Sequence, residues 1–142
     1  MRYSILDTSS NEDLEAYIDS TEGTLVYATG EYGDVDLGKA ATDILFQSAG
    51  SIFYRECSDC SDSHKVIFYK RITEVGGFSV YDNMVNTWSS EGNELNTDFE
   101  MYGSYEDLVA GSNKWTFCNY DDTGVAFPRD CGPNGGVANN WN

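Results

Sequence analysis

Ser51-Ile-Phe-Tyr-Arg-Glu-Cys-Ser-Asp-Cys-Ser-Asp-Ser-His-Lys-Val-Ile-Phe-Tyr-Lys-Arg-Ile-Thr73 is the stretch that decides the fold class. Two runs rich in aromatic and β-branched residues, Ser51 to Glu56 and Lys65 to Thr73, flank a polar segment from Cys57 to Ser63. Such side chains suit a pleated, half-buried surface, so the pair predicts a hairpin of two long strands. Outward from it, Thr24-Leu-Val-Tyr-Ala-Thr29 lies between Gly23 and Gly30 and predicts a mostly buried strand. Phe78 to Asp82, Leu95 to Tyr102 and Lys114 to Tyr120 predict three more. In the last, Trp115, Phe117 and Asn119 alternate with Thr116, Cys118 and Tyr120.

Helical signals are fewer. Ser10 to Asp19 offers a serine cap, early acidic residues and Leu14, Tyr17 and Ile18 at i, i+3 and i+4, which predicts a short helix. Ser104-Tyr-Glu-Asp-Leu-Val-Ala-Gly111 fits one capped helical turn ended by glycine. Asp34 to Ser48 carries two periods: Leu37, Ala40, Ala41, Ile44 and Leu45 recur at helical spacing, whereas Asp43 to Ser48 alone reads as a strand. With the second half assigned to a strand, about eight short strands and one or two short helices predict an all-β chain, an antiparallel β-sandwich, jelly-roll-like and disulfide-braced. A helix across residues 35–48 would make the class α+β instead. No internal repeat, low-complexity tract or linker divides the chain, and 142 residues suffice for one core, so residues 1–142 read as a single β-sandwich domain.

Composition narrows the partners. A content of 40% hydrophobic and 14% aromatic residues predicts a folded chain despite a net charge of −16 from 24 acidic and 8 basic side chains. At a pI of 4.1 the molecule's field opposes phosphate backbones and anionic lipid, which excludes nucleic acid as an expected partner. No long apolar run predicts membrane insertion. Met1-Arg-Tyr-Ser-Ile-Leu-Asp7 lacks the apolar centre of a secretory signal, which excludes no compartment. The chain contains no Asn-x-Ser/Thr acceptor.

Four cysteines, Cys57, Cys60, Cys118 and Cys131, in a small acidic domain predict disulfides and an extracellular or cell-surface location. Four cysteines allow three pairings. Local closure, Cys57 with Cys60 and Cys118 with Cys131, competes with two cross-links between the loops. Cys57-x-x-Cys60 with His64 also offers three zinc ligands, but no second matched pair accompanies it. Calcium is the better metal candidate: Asp34 and Asp36, and Asp121 in Asp121-Asp122-Thr-Gly124, put carboxylates into turns. Turn propensity alone explains the same residues.

Catalysis has little to stand on. The lone His64 has no evident nucleophile partner, and acid pairs such as Glu56 with Asp59 or Glu100 with Glu106 are too many to single one out for glycoside hydrolysis. Gly76-Gly77 and Gly135-Gly136 read as turns. Aromatic recognition is the stronger theme. Trp88, Trp115 and Trp141 with Tyr102, Tyr105 and Tyr120 lie near Asn and Asp residues, a mixture suited to the apolar face and hydroxyl rim of a sugar. Trp115, Asn119, Tyr120, Asp121 and Asp122 form the predicted ligand-binding set, with Trp115 and Phe117 pointing into the core as the competing expectation.

Arg55, Lys65, Lys70 and Arg71 hold half of the 8 basic residues within 17 positions. They read as cations paired with neighbouring acids on a solvated sheet face, or as a patch for an acidic partner or anionic glycan. The expected function is an extracellular, non-catalytic binding or adhesion module for a glycan or an extracellular protein surface, with Ca2+ as a potential aid. A structural protomer that self-associates into a layer or filament is the alternative, and a glycoside hydrolase-like enzyme the third.

Overall fold

The structure, a computed structural model, describes residues 1–6, 23–49 and 52–141. The helix expected between Ser10 and Asp19 lies outside the described residues. The chain builds strands β1 (Arg2–Leu6), β2 (Thr24–Ala28), β3 (Val35–Asp36), helix α1 (Gly38–Ala49), strands β4 (Ile52–Glu56), β5 (Val66–Arg71) and β6 (Phe99–Tyr102), and helix α2 (Tyr105–Ala110). The strands form one antiparallel sheet of six, in the order β3-β2-β1-β4-β5-β6.

The predicted hairpin is there. β4 and β5 pair with Phe53 opposite Tyr69 and Tyr54 opposite Phe68, and the Cys57 amide donates to the Lys65 carbonyl at 2.9 Å to extend the ladder. The Cys57–Cys60 disulfide closes the connection. The N-terminal residues carry no strand signal in the sequence, yet β1 lies in the middle of the sheet between β2 and β4. Its alternation is readable afterwards: Tyr3 and Ile5 join the main core, while Leu6 joins a second cluster with Ile52, Phe68, Tyr102 and Leu108 of α2.

Where a two-sheet sandwich was expected, the described residues contain one sheet. α1 and the connections around residues 75–98 and 113–132 contribute the residues that cover its main face. Phe46, Val80, Met84, Trp88, Trp115 and Phe127 are buried there against Tyr3, Phe53, Ile67, Tyr69 and Phe99. Three predicted strands accordingly take other forms. Asp43 to Ser48 is helical, because Thr42 and Phe46, four apart, face the core at 1% and 0% exposure while Ile44 stands 65% exposed. Asp43 also caps the far segment, its carboxylate accepting from Ser79 Oγ at 2.7 Å and from the Tyr81 amide at 2.9 Å.

Phe78 to Asp82 enters a short helical segment rather than a strand. The Phe78 amide closes a turn onto the Val75 carbonyl, and Ser79 Oγ accepts from the Asp82 amide, a local bond that competes with any ladder. Lys114 to Tyr120 runs without strand pairing apart from a bridge between Phe117 and Gly132. Its amides go to scattered partners: Trp115 donates to the Met101 carbonyl and Thr116 to that of Pro133. Both cysteine pairs close locally, Cys118 with Cys131 as the second disulfide, so the cross-linked alternative is set aside. Only glycine fits position 132, where an added Cβ would collide with the Gly135 carbonyl oxygen.

Candidate functional site

The predicted ligand-binding set does not converge on one cavity. Trp115 is 2% exposed, with its ring centroid 4.8 Å from that of His64. Tyr120 stacks on the buried Trp88 at 5.5 Å, and its hydroxyl accepts from the Leu95 amide at 2.9 Å. Burial pushes the Tyr120 phenol up to about 12. Asn119 donates through Nδ2 to Asp130 at 3.2 Å. Asp122 pairs with Arg129. Asp121, at a left-handed φ of 71°, accepts from the Ser90 hydroxyl at 2.6 Å and amide at 2.9 Å, and these bonds hold its carboxyl below the usual range. These side chains mostly fasten one loop to another.

Asp34 and Asp36 are both exposed. Asp36 accepts from the Gly38 amide at 2.9 Å and from the Tyr81 hydroxyl at 3.0 Å. Among the described residues, no group of three or more His, Cys, Asp or Glu side chains is arranged to hold a metal ion. No helix among them is long and apolar enough to cross a membrane. Among the described residues the carboxyls of Asp82, Asp98, Glu100, Asp107 and Asp121 are each held below the usual range, the direction opposite to what a general acid needs.

Two clefts open on the surface instead. The first, about 440 Å³, lies beside α2 and is lined by Ser63, Gly103, Ser104, Asn113, Trp115 and Asn134 among others. Ser104 caps α2 by accepting from the Asp107 amide at 3.2 Å, and Gly111 ends the helix at φ 67°. Trp115 Nε1 makes no hydrogen bond among the described residues and lies 3.4 Å from the position of a Cβ on Gly103. The absence of a side chain at Gly103 thus leaves the indole N–H open to the cleft. Sequence reasoning had Trp115 but not its neighbours, since Ser63 and Asn134 arrive from remote segments.

The second cleft, about 580 Å³, lies between the Glu74–Ser79 turn and the Ser89–Gly92 loop, with Lys39 on its rim. Arg71 lines it, 7% exposed, with its guanidinium over the Phe78 ring at 4.4 Å. Of the hairpin cations, the two arginines are therefore buried, while Lys65 is exposed and Lys70 half-buried. Arg55 is 0% exposed and donates to the Asn140 carbonyl at 2.5 Å, Lys65 donates to the Ser58 carbonyl at 2.8 Å, and Lys70 stands opposite Glu100 across the β5–β6 pair. Among the described residues neither Arg55 nor Arg71 has a carboxylate partner. Compared with known proteins, the chain matches no family model, no curated relative and no solved structure.

Proposed function

We propose that the protein is an extracellular, non-catalytic binding module for a glycan, seated in the cleft beside α2. The observation that carries this reading is the Trp115 indole N–H, left without an acceptor among the described residues at the bare Gly103 backbone, in a cleft whose lining includes the hydroxyls of Ser63 and Ser104 and the side-chain amides of Asn113 and Asn134 beside Asp107 and Lys114. A sugar hydroxyl accepts from the indole, while Asn113 and Asn134 offer both donors and acceptors to its neighbours. Two disulfides support the extracellular assignment and hold the loops, which lowers the ordering cost of binding.

Titration of a panel of neutral polysaccharides, followed by tryptophan fluorescence with and without a calcium chelator, tests the reading. Gly103→Ala puts a methyl group over the indole N–H at ordinary contact distance, so binding should fall about tenfold, near 1.4 kcal/mol, with an unchanged melting temperature. A panel without saturable binding, or a Gly103→Ala variant that binds as well as the parent chain, would sink the proposal. Lost binding on chelation would bring in the calcium-assisted form.

A further inference from the structure

We infer that the cleft around Arg71 is a binding site for a small ligand bearing an oxyanion, carboxylate or sulfate, gripped by the Arg71 guanidinium and the backbone amides of the Gly76-Gly77 turn. It is separate from the Trp115 cleft and does not depend on the glycan reading.

A guanidinium that is nine-tenths buried normally forms a two-pronged pair with a carboxylate, because losing water around an uncompensated charge is costly. Arg71 has no such pair among the described residues. Its donors reach single neutral oxygens at long range: Nη1 to the Tyr69 hydroxyl at 3.2 Å, Nε to the Thr73 carbonyl at 3.4 Å and Nη2 to the Glu74 carbonyl at 3.5 Å. Asp98, which feels the Arg71 charge, has its oxygens taken by Thr73 Oγ1 at 3.0 Å and the Glu94 amide at 2.9 Å. The arginine is nevertheless held still. Phe78 supports its face, and the Tyr69 hydroxyl that accepts from it donates in turn to buried Asn93 at 2.7 Å, whose amide donates to the Ser89 carbonyl at 2.9 Å. A fixed fork without its counter-ion is pre-organised for a bidentate oxyanion.

The turn adds donors. Gly76 takes φ 52°, and the Phe78 amide closes the turn onto Val75, while the Gly76 and Gly77 amides have no partner among the described residues. Both glycines line the same cleft as Arg71. Successive free amides in a turn favour an anion. The acidic rim does not cancel this: Asp82 is neutralised by Lys39 at 2.6 Å, and Glu74 and Glu91 are exposed side chains screened by salt, whereas Arg71 acts from the low-dielectric base.

The test is amide-resolved NMR titration of the whole chain with sodium glucuronate, sodium sulfate and inorganic phosphate in separate arms, and with glucose as the uncharged control. At least one oxyanion should bind saturably and shift the Gly76 and Gly77 amides, glucose should leave them unmoved, and the tightest arm identifies the group. Arg71→Lys keeps the charge but loses the fork, and should weaken binding about tenfold. Unmoved glycine amides in every oxyanion arm of the parent protein would overturn the inference, whether or not the variant folds, as would equal binding by a folded Arg71→Lys chain.

Discussion

At the scale of single residues, the chain's one histidine is a structural group with a readable pH signature. His64 is fully buried; the Cys131 carbonyl can only accept, so Nε2 carries the proton and donates to it at 2.8 Å, leaving Nδ1 to accept from Ser63 Oγ at 2.7 Å. Burial, and then the nearby Arg55 charge, push the imidazole below its ordinary 6.5, against the opposing pull of the Cys131 bond. A lowered base is neutral in the fold while the unfolded chain still binds a proton. His64 therefore contributes its full stability above pH 6.5 and loses it as pH falls from 6.5 to the lower folded value, at no more than about 1.4 kcal/mol per pH unit. Imidazole titration by NMR should give a midpoint below 6.5, with a melting temperature that declines below pH 6.5, a decline that His64→Gln flattens. A midpoint at or above 6.5 would contradict the buried neutral state. Asp121 and Asp107 behave in the same sense over a more acidic window: Ser90 holds the first carboxyl low and Asn113 the second, so their support is present above the ordinary carboxylate range and is lost only as pH falls below it.

Among elements, α1 shows most sharply how packing decides between two periods. A strand over Asp43 to Ser48 would place Ile44 and Phe46 on one face, whereas the helix buries Phe46 at 0% and exposes Ile44 at 65%. Phe46→Ala should therefore cost about 3–5 kcal/mol, and Ile44→Ala about 0.5 kcal/mol or less. Urea unfolding of the two variants checks this, and similar losses from both would favour the strand. The sheet's outer strands are protected in different ways. β3 is only two residues long, and on β6 the Met101 carbonyl already accepts the Trp115 amide at 2.9 Å.

For the molecule as a whole, those short or occupied edges and a net charge of −16 oppose growth by strand addition. Sedimentation at rising concentration and physiological salt should give a monomer. Association without added ligand would instead favour the self-assembling protomer. Asn140, 4% exposed, accepts from Arg55 at its carbonyl and from the Ser61 amide at its side chain at 2.9 Å, so the tail returns to the Cys57–Cys60 turn.

From the sequence alone came the features encoded by neighbours in the chain. The β4–β5 hairpin, β2, the capped turn of α2 and the disulfide bracing follow from local propensity, turn chemistry and cysteine spacing, which need no distant partner. The tertiary structure decided the rest. β1 has the length of β2, but polar Arg2 and Ser4 break its run of strand formers, so it does not stand out until β2 and β4 pair with it, and Asp43 to Ser48 becomes helix because the sheet receives Phe46 and the Asp43 carboxylate accepts from Ser79 and Tyr81. The candidate clefts were least legible of all. Trp115 and Arg71 were visible as residue types, but an indole N–H without an acceptor and a guanidinium without a carboxylate among the described residues are facts about remote segments, and no period in the sequence records them.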